Sequence, residues 1–239
     1  MSGSWPPAAV TAATFILTAS GVSIVIRAVF ALAAVCLLVG CGASASSAPT
    51  ATPGRPTSTP IAQWSRSPDI TVDPNAHYTA TVETTDGSFT IQLLPKVAPI
   101  AVNNFIFLAR HHFFDHNVIE RIVPDQIIQT GDPTGTRSGG PGYRFKDERV
   151  TLPYTSGSVA MANSGSNTNG SQFFIVITPP GTAIPYNPPA YTIFGRVASG
   201  MSVVYKIGKT PVGPNAINGD QDQPLDLVYL TRVTIQQSR

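Results

Sequence analysis

Cysteine is nearly missing from this chain. Of 239 residues only Cys36 and Cys41 carry a thiol, both at the edge of an apolar N-terminal segment. From residue 42 onward, disulfides, thiolate zinc ligands and thiol catalysis are therefore excluded. Charge is scarce as well: 12% of residues are charged and the formal net charge is +2. That leaves no basic footprint for nucleic acid and no run of like charges to serve as an electrostatic anchor. His111, His112, Asp115 and His116 form the densest cluster of metal-capable side chains, but the polar end of a helix explains them better than a metal site. The glycine-rich stretch 134–142 is followed by no Gly-Lys-Ser/Thr sequence, so it reads as turns rather than a phosphate cradle. No metal and no cofactor are expected.

What is present is unevenly distributed. Residues 1–40 are apolar, with Arg27 as the only charged side chain. Arg27 is followed by thirteen apolar or small residues, 28–40, and then by Cys41. That order matches a signal peptide, with a positive start, a short apolar core and small residues before the cleavage point. The run is shorter than the roughly 20 residues that a spanning helix needs. Leu38-Val39-Gly40-Cys41 resembles a bacterial lipobox, whose cysteine becomes the lipidated first residue of the mature protein. An ordinary secretory signal, or a spanning anchor made jointly with residues 8–26, are the alternatives. Because signal peptides usually begin near their positive charge, translation is expected to start near Val22 or Val25. Residues 41–75 are expected to form a solvated linker, since Ser, Thr and Ala dominate and Pro49, Pro53, Pro56, Pro60, Pro68 and Pro74 prevent regular structure. The reading is thus a signal segment at 1–40, a linker at 41–75 and one folded domain at 76–239.

Within that domain, residues 78–85 and 88–94 alternate apolar and polar side chains around Asp86-Gly87, a hairpin signal. Residues 98–107, running on towards His112, place apolar side chains at near-helical spacing. Short strands are expected at 118–123, 126–129, 159–162, 172–177, 191–196 and 225–235, with a second short helix at 199–208. Many short strands and two helices predict a mainly β fold, a closed antiparallel barrel capped by helices. The stretch 161–174 passes from small residues through a polar glycine-rich loop to two adjacent phenylalanines, and reads as strand, tight loop, strand.

Four stretches carry a specific signal. They are Val118-Ile-Glu-Arg-Ile-Val-Pro-Asp-Gln-Ile-Ile-Gln-Thr-Gly-Asp132, Gly139-Gly-Pro-Gly-Tyr-Arg-Phe-Lys-Asp-Glu148, Gly157-Ser-Val-Ala-Met-Ala-Asn-Ser-Gly-Ser-Asn-Thr-Asn-Gly-Ser-Gln-Phe-Phe-Ile175 and Tyr191-Thr-Ile-Phe-Gly-Arg-Val197. Together, and in this order, they resemble the cyclophilins, a family of peptidyl-prolyl cis-trans isomerases, over about 160 residues. The resemblance implies an eight-stranded antiparallel barrel with two capping helices and a groove for a proline-containing polypeptide. The residue types suit that task. Rotation about an X–Pro bond meets a barrier of about 18–20 kcal/mol and takes tens to hundreds of seconds unaided. No bond breaks, so the site has only to favour a twisted amide over a planar one.

By the same resemblance, Arg121 is the catalytic arginine and Gln129 the glutamine that orients it. Ala162, Asn163 and Ser164 supply the loop that pairs with substrate backbone. Ile127 and Phe174 wall the proline pocket, Gln172 lines the adjoining groove, and Asn187 and Tyr191 stand on its rim. Three positions depart from the family pattern. Glu120 replaces the histidine that usually precedes the arginine, Gln126 replaces a pocket phenylalanine, and residues 184–189 lack the tryptophan that helps bind cyclosporin. A working but slow enzyme with weakened cyclosporin binding is expected, held on the outer face of a bacterial cell membrane by a lipid anchor at Cys41. The alternative is a chaperone module that binds proline-containing segments with little or no turnover, a reading that Gln126 and Glu120 favour.

Overall fold

The computed structural model describes residues 61–179, 181 and 191–238. Its first hairpin joins β1 (His77–Thr84) to β2 (Gly87–Leu93). Thr84 pairs with Gly87, so the turn residues are Thr85 and Asp86, one position earlier than the Asp-Gly signal suggests. Helix α1 (Pro99–Arg110) follows. Its leading proline lacks only an N–H that no helical turn would use, and the next two N–H groups, of Ile100 and Ala101, donate to Glu148 Oε1 and Oε2 at 2.9 Å each. Burial pushes the Glu148 carboxyl up, an effect that those two hydrogen bonds partly offset.

The chain continues through β3 (Ile119–Val123), β4 (Ile127–Thr130), β5 (Ser158–Met161), β6 (Phe173–Val176) and β7 (Ile193–Ser199). Helix α2 (Met201–Gly208), the small hairpin β8 (Val212–Pro214) and β9 (Gln221–Pro224), and the long strand β10 (Leu230–Ser238) complete it. Eight strands form one antiparallel sheet in the order β10-β1-β2-β7-β5-β6-β4-β3. The expected mainly β architecture with two helices is therefore present, but the barrel is not closed. Its edge strands β3 and β10 meet only at one end, through a bridge between Val118 and Tyr229 and hydrogen bonds from Ile119 N to Val228 O and from Leu230 N to Asn117 O, both 2.8 Å. β3 is only five residues long, and beyond the bridge β9 lies beside it in place of β10.

Strand alternation then builds two apolar clusters. Ile128, Val159, Phe173, Ile175 and Phe194 point into the curled sheet, where Phe105 of α1 lies with its ring centroid 5.5 Å from Phe173 and 5.3 Å from Phe194. Ile127, Ala160, Phe174, Val176 and Ile193 point the other way, into a smaller cluster covered by Val150, Leu152, Tyr154 and Tyr191. β4, β5 and β6 are buried on both faces, which is why they read as short apolar runs rather than alternating ones. The adjacent phenylalanines Phe173 and Phe174 thus serve different clusters, as a period of two requires.

The packed body also reaches back before residue 76. Residues 61–75 have no helix or strand, yet they lie against α1 rather than extending into solvent as a linker. Trp64 packs edge-on against Phe107 with centroids 5.1 Å apart, and its backbone N–H donates to Pro141 O at 2.9 Å. Asn103 accepts from Thr71 N at 2.8 Å and donates to Asp69 O at 3.0 Å. Trp64 and Val72 supplied apolar contacts that a composition dominated by proline and serine concealed. Residues 1–60, with the expected signal segment, the lipidation site Cys41 and the first part of the expected linker, lie outside the described residues.

Candidate functional site

On the outer face of β3, β4 and β6 an open groove of about 1200 Å³ collects residues from distant parts of the chain. Arg121 and Gln129 face each other as register partners across β3 and β4. Gln126 and Ile127 continue the same wall, while Phe174 and Gln172 come from β6 and its approach. Ala162, Asn163 and Ser164 form the opposite lip, and Tyr191 closes one end with its ring edge-on to Phe174 at 5.3 Å. Ten of the eleven groove residues expected from the sequence therefore line one cavity; the eleventh, Asn187, lies outside the described residues.

Local structure explains why they converge. The β3–β4 register slips between Ile119 and Arg121. A bulge of this kind re-aims side chains: Glu120 is turned fully into the interior, while Arg121 stays part-exposed in the groove. Across the groove, Asp147 fixes the polar loop, accepting from Asn169 Nδ2 at 2.9 Å and Asn167 N at 2.7 Å. The Asn163 side chain joins this set through Asn169 Oδ1 at 3.2 Å. Among the described residues no hydrogen bond engages the Asn163 backbone, which leaves that N–H and C=O for an extended peptide laid along the lip.

Gln129 does not bond to Arg121. Its Nε2 donates to Gln172 Oε1 at 3.0 Å, and Gln172 Nε2 donates in turn to Gly139 O at 2.9 Å. The Arg121 guanidinium is instead held by Asp222, which accepts from Nε at 2.7 Å. Asp222 also accepts from Arg137 Nη2 at 2.9 Å. Burial alone would raise the Asp222 carboxyl, but hydrogen bonds from Arg137, Arg121 and Asn215 outweigh it and hold the group below the usual aspartate range.

Sequence reasoning missed Asp222 and Arg137. Asp222 sits in Gln221-Asp-Gln-Pro224, which has no apolar alternation, and Arg137 sits in a loop that reads only as turns. That loop is organised by Asp132, whose carboxylate accepts from Thr134 N at 2.7 Å, Thr136 N at 3.1 Å and Gly139 N at 2.9 Å. Burial raises the Asp132 carboxyl, yet the Thr134 hydroxyl, which donates to Oδ1 at 2.7 Å, and these N–H groups carry it below its ordinary value. Any Cβ at Gly139 would fall 2.0 Å from Asp132 Oδ1, so only glycine fits there. Gln63, from the stretch ahead of β1, was missed too; it joins the far end of the groove and donates to Gly140 O at 3.1 Å.

Chemically, the groove offers an apolar niche at Phe174 and Ile127, an open backbone edge at Asn163 and a guanidinium anchored through Nε. Among the described residues no cluster of three metal-capable side chains occurs. Such a site can grip an extended peptide, bury one apolar ring and direct positive charge at a neighbouring polar atom.

Comparison with known proteins bears on which peptide that is. The family model described as cyclophilin type peptidyl-prolyl cis-trans isomerase matches residues 79–235. Peptidyl-prolyl cis-trans isomerase-like 1 of Emericella nidulans is 41% identical over 160 residues, spanning 65% of this chain and 93% of that protein. Its counterpart from Neurospora crassa is 46% identical over 159 residues, spanning 64% and 91%. Among solved structures, a cyclophilin-type isomerase of Cryptosporidium parvum superposes with a TM-score of 0.60 at 28% identity, covering 68% of this chain and 99% of that one. A second structure of that protein, obtained in the presence of the dipeptide Ala-Pro, matches with a TM-score of 0.59.

Proposed function

The chain belongs to the cyclophilin-type peptidyl-prolyl cis-trans isomerases, and from that premise we propose how its groove performs the reaction and where in the cell it does so. The enzyme accelerates rotation about X–Pro bonds in polypeptides. Phe174 and Ile127 take the pyrrolidine ring, and the Asn163 backbone holds the residue before it. As the amide twists, the prolyl nitrogen regains a lone pair that the planar form lacks. The Arg121 guanidinium donates to the substrate at that point, so its interaction is stronger in the twisted state than in either planar one. No proton has to move. The observation that carries this reading is the convergence of Arg121, Asn163 and Phe174, far apart in sequence, on one groove.

Exchange NMR on a tetrapeptide containing Ala-Pro tests it. Catalytic amounts of the protein should produce cis–trans exchange peaks within a mixing time too short for the unaided reaction, which takes tens of seconds or more. Peaks that shift without exchanging would instead indicate the binding-module alternative. Equimolar cyclosporin should leave most of that exchange intact, because residues 184–189 supply no tryptophan.

The location rests on sequence alone. Arg27, the apolar run at 28–40 and the lipobox-like Leu38-Val39-Gly40-Cys41 support an exported enzyme, lipid-anchored at Cys41 to the outer face of a bacterial membrane and acting on exported proteins. Mass spectrometry of the mature N-terminal peptide should find Cys41 first in the chain and carrying acyl groups; an unmodified or internal Cys41 rejects the anchor.

A further inference from the structure

We propose that Asp222 is a positioning residue for the isomerisation: it pins the Arg121 guanidinium by its Nε–H, so that both Nη groups remain for the twisted amide. The inference rests on the catalytic assignment of Arg121 and deepens it.

An arginine in an open groove has little to fix it. The Arg121 side chain is 34% exposed, and an unanchored guanidinium on its flexible stem would spend its time among several rotamers, each wrong one lost to catalysis. Asp222 removes that freedom. Its Oδ2 takes the Nε proton at 2.7 Å, at the short end of charge-assisted bonds. Because the guanidinium is planar, fixing Nε also fixes the plane in which both Nη groups lie. Among the described residues no other hydrogen bond engages the Arg121 side chain.

Asp222 can do this only if it is itself immobile, and it is. The residue is 4% exposed, and its second oxygen, Oδ1, accepts from Arg137 Nη2 at 2.9 Å and Asn215 Nδ2 at 2.5 Å. Arg137 is braced in turn, since its Nε and Nη2 also donate to Glu120 O at 3.2 and 3.1 Å. The carboxylate thus lies between two guanidinium groups. It cancels the repulsion that would push Arg121 away from Arg137, and it leaves the pair with a net positive charge beside the groove. Asp222 reaches this place from β9, a hairpin strand outside the eight-stranded sheet, 101 residues from its partner in sequence.

A double-mutant cycle on the full chain, with kcat and KM measured on an Ala-Pro tetrapeptide, separates positioning from mere structural support. Asp222→Ala should lower kcat by about tenfold to a hundredfold, the cost of a misplaced reacting group, while KM changes less than about threefold. Asp222→Asn keeps a carbonyl acceptor for Nε, should lose less, and is the variant to rely on if the alanine substitution impairs folding. In an Arg121→Ala background neither substitution should reduce turnover further. The Arg121 Nε–H resonance should be resolved in the wild type and in Asp222→Asn, and averaged away in Asp222→Ala. If Asp222→Ala and Asp222→Asn turn over at the wild-type rate, or cost the same factor with and without Arg121, the positioning role is overturned while the assignment of Arg121 stands. Full turnover by Arg121→Ala alone would overturn both.

Discussion

Replacing Arg121 by alanine should reduce kcat/KM for an X–Pro peptide by about 10²–10³, the range seen when one preorganised donor to a transition state is removed. The loss should fall on kcat. In the planar ground states the prolyl nitrogen has delocalised its lone pair and offers the guanidinium nothing, whereas the twisted amide does, so the interaction is differential. The groove itself, with Phe174 walling the ring niche and the Asn163 backbone open, is untouched by the substitution, and KM should hold within about threefold. Arg121→Lys is informative because it restores charge without the planar fork. A lysine has no Nε–H to give Asp222 while aiming two further donors, so only a small part of the activity should return. The fold should survive both changes, since Arg121 is part-exposed and Asp222 retains Arg137 and Asn215 as partners. Initial rates from a protease-coupled assay, checked by exchange NMR, decide the matter: unchanged kcat/KM for the alanine variant removes Arg121 from the mechanism.

How far the groove could be read from the sequence depended on what kind of signal each part left. Residues such as Ile127, Asn163 and Phe174 sit in continuous motifs whose strand–loop–strand geometry is local, and it was the family resemblance of those motifs that pointed them at the groove; a period of two says only that Phe173 and Phe174 face opposite ways. Strand edges were displaced by one to five residues, most at the start of β10 (expected at 225, found at 230), because hydrogen-bond register, unlike polarity, leaves no mark on composition. The β8–β9 hairpin was missed for a stronger reason. Gln221-Asp-Gln-Pro224 is stabilised by the partners that Asp222 finds at Arg121 and Arg137, contacts that exist only after the sheet has curled. Similarly, the packed role of residues 61–75 hangs on single side chains, Trp64 and Val72, inside a stretch whose average composition says coil. The proline-rich sequence did exclude helix and strand there; it said nothing about packing. Closure of the barrel was the one architectural overreach, since nothing in an alternating pattern reports whether the first and last strands of a sheet meet.

Glu120→Gln should make the protein more stable at neutral pH, the gain growing by up to about 1.4 kcal/mol for each pH unit between the unfolded and the raised folded value of Glu120, and the gain should disappear in acid. Glu120 is fully buried and neither carboxylate oxygen has a well-formed hydrogen bond. Burial raises its carboxyl well above the ordinary glutamate value and the charge of Asp132 adds to this, while nearby backbone N–H groups and Arg137 offset only part. The sign of the pH dependence follows. Between the unfolded value near 4.5 and the raised folded value, the unfolded chain has released this proton and the folded chain keeps it. The native state then binds more protons, so stability falls as pH rises through that window and is highest below it. Glutamine carries no such penalty: its carbonyl can accept from the same backbone donors and its amide can donate towards Asp132. Urea unfolding of both proteins from pH 4 to 8 should therefore give curves that coincide at the acid end and separate as pH increases. A constant gap, or a variant less stable at every pH, rules out a buried protonated acid. Turnover provides the complementary reading. The bulge in β3 turns Glu120 away from the groove and the sequence alone places it beside Arg121, so Glu120→Gln should leave kcat/KM within about twofold if burial has already separated the two groups. A large rise in activity would mean that the carboxylate, despite its interior position, draws charge from Arg121.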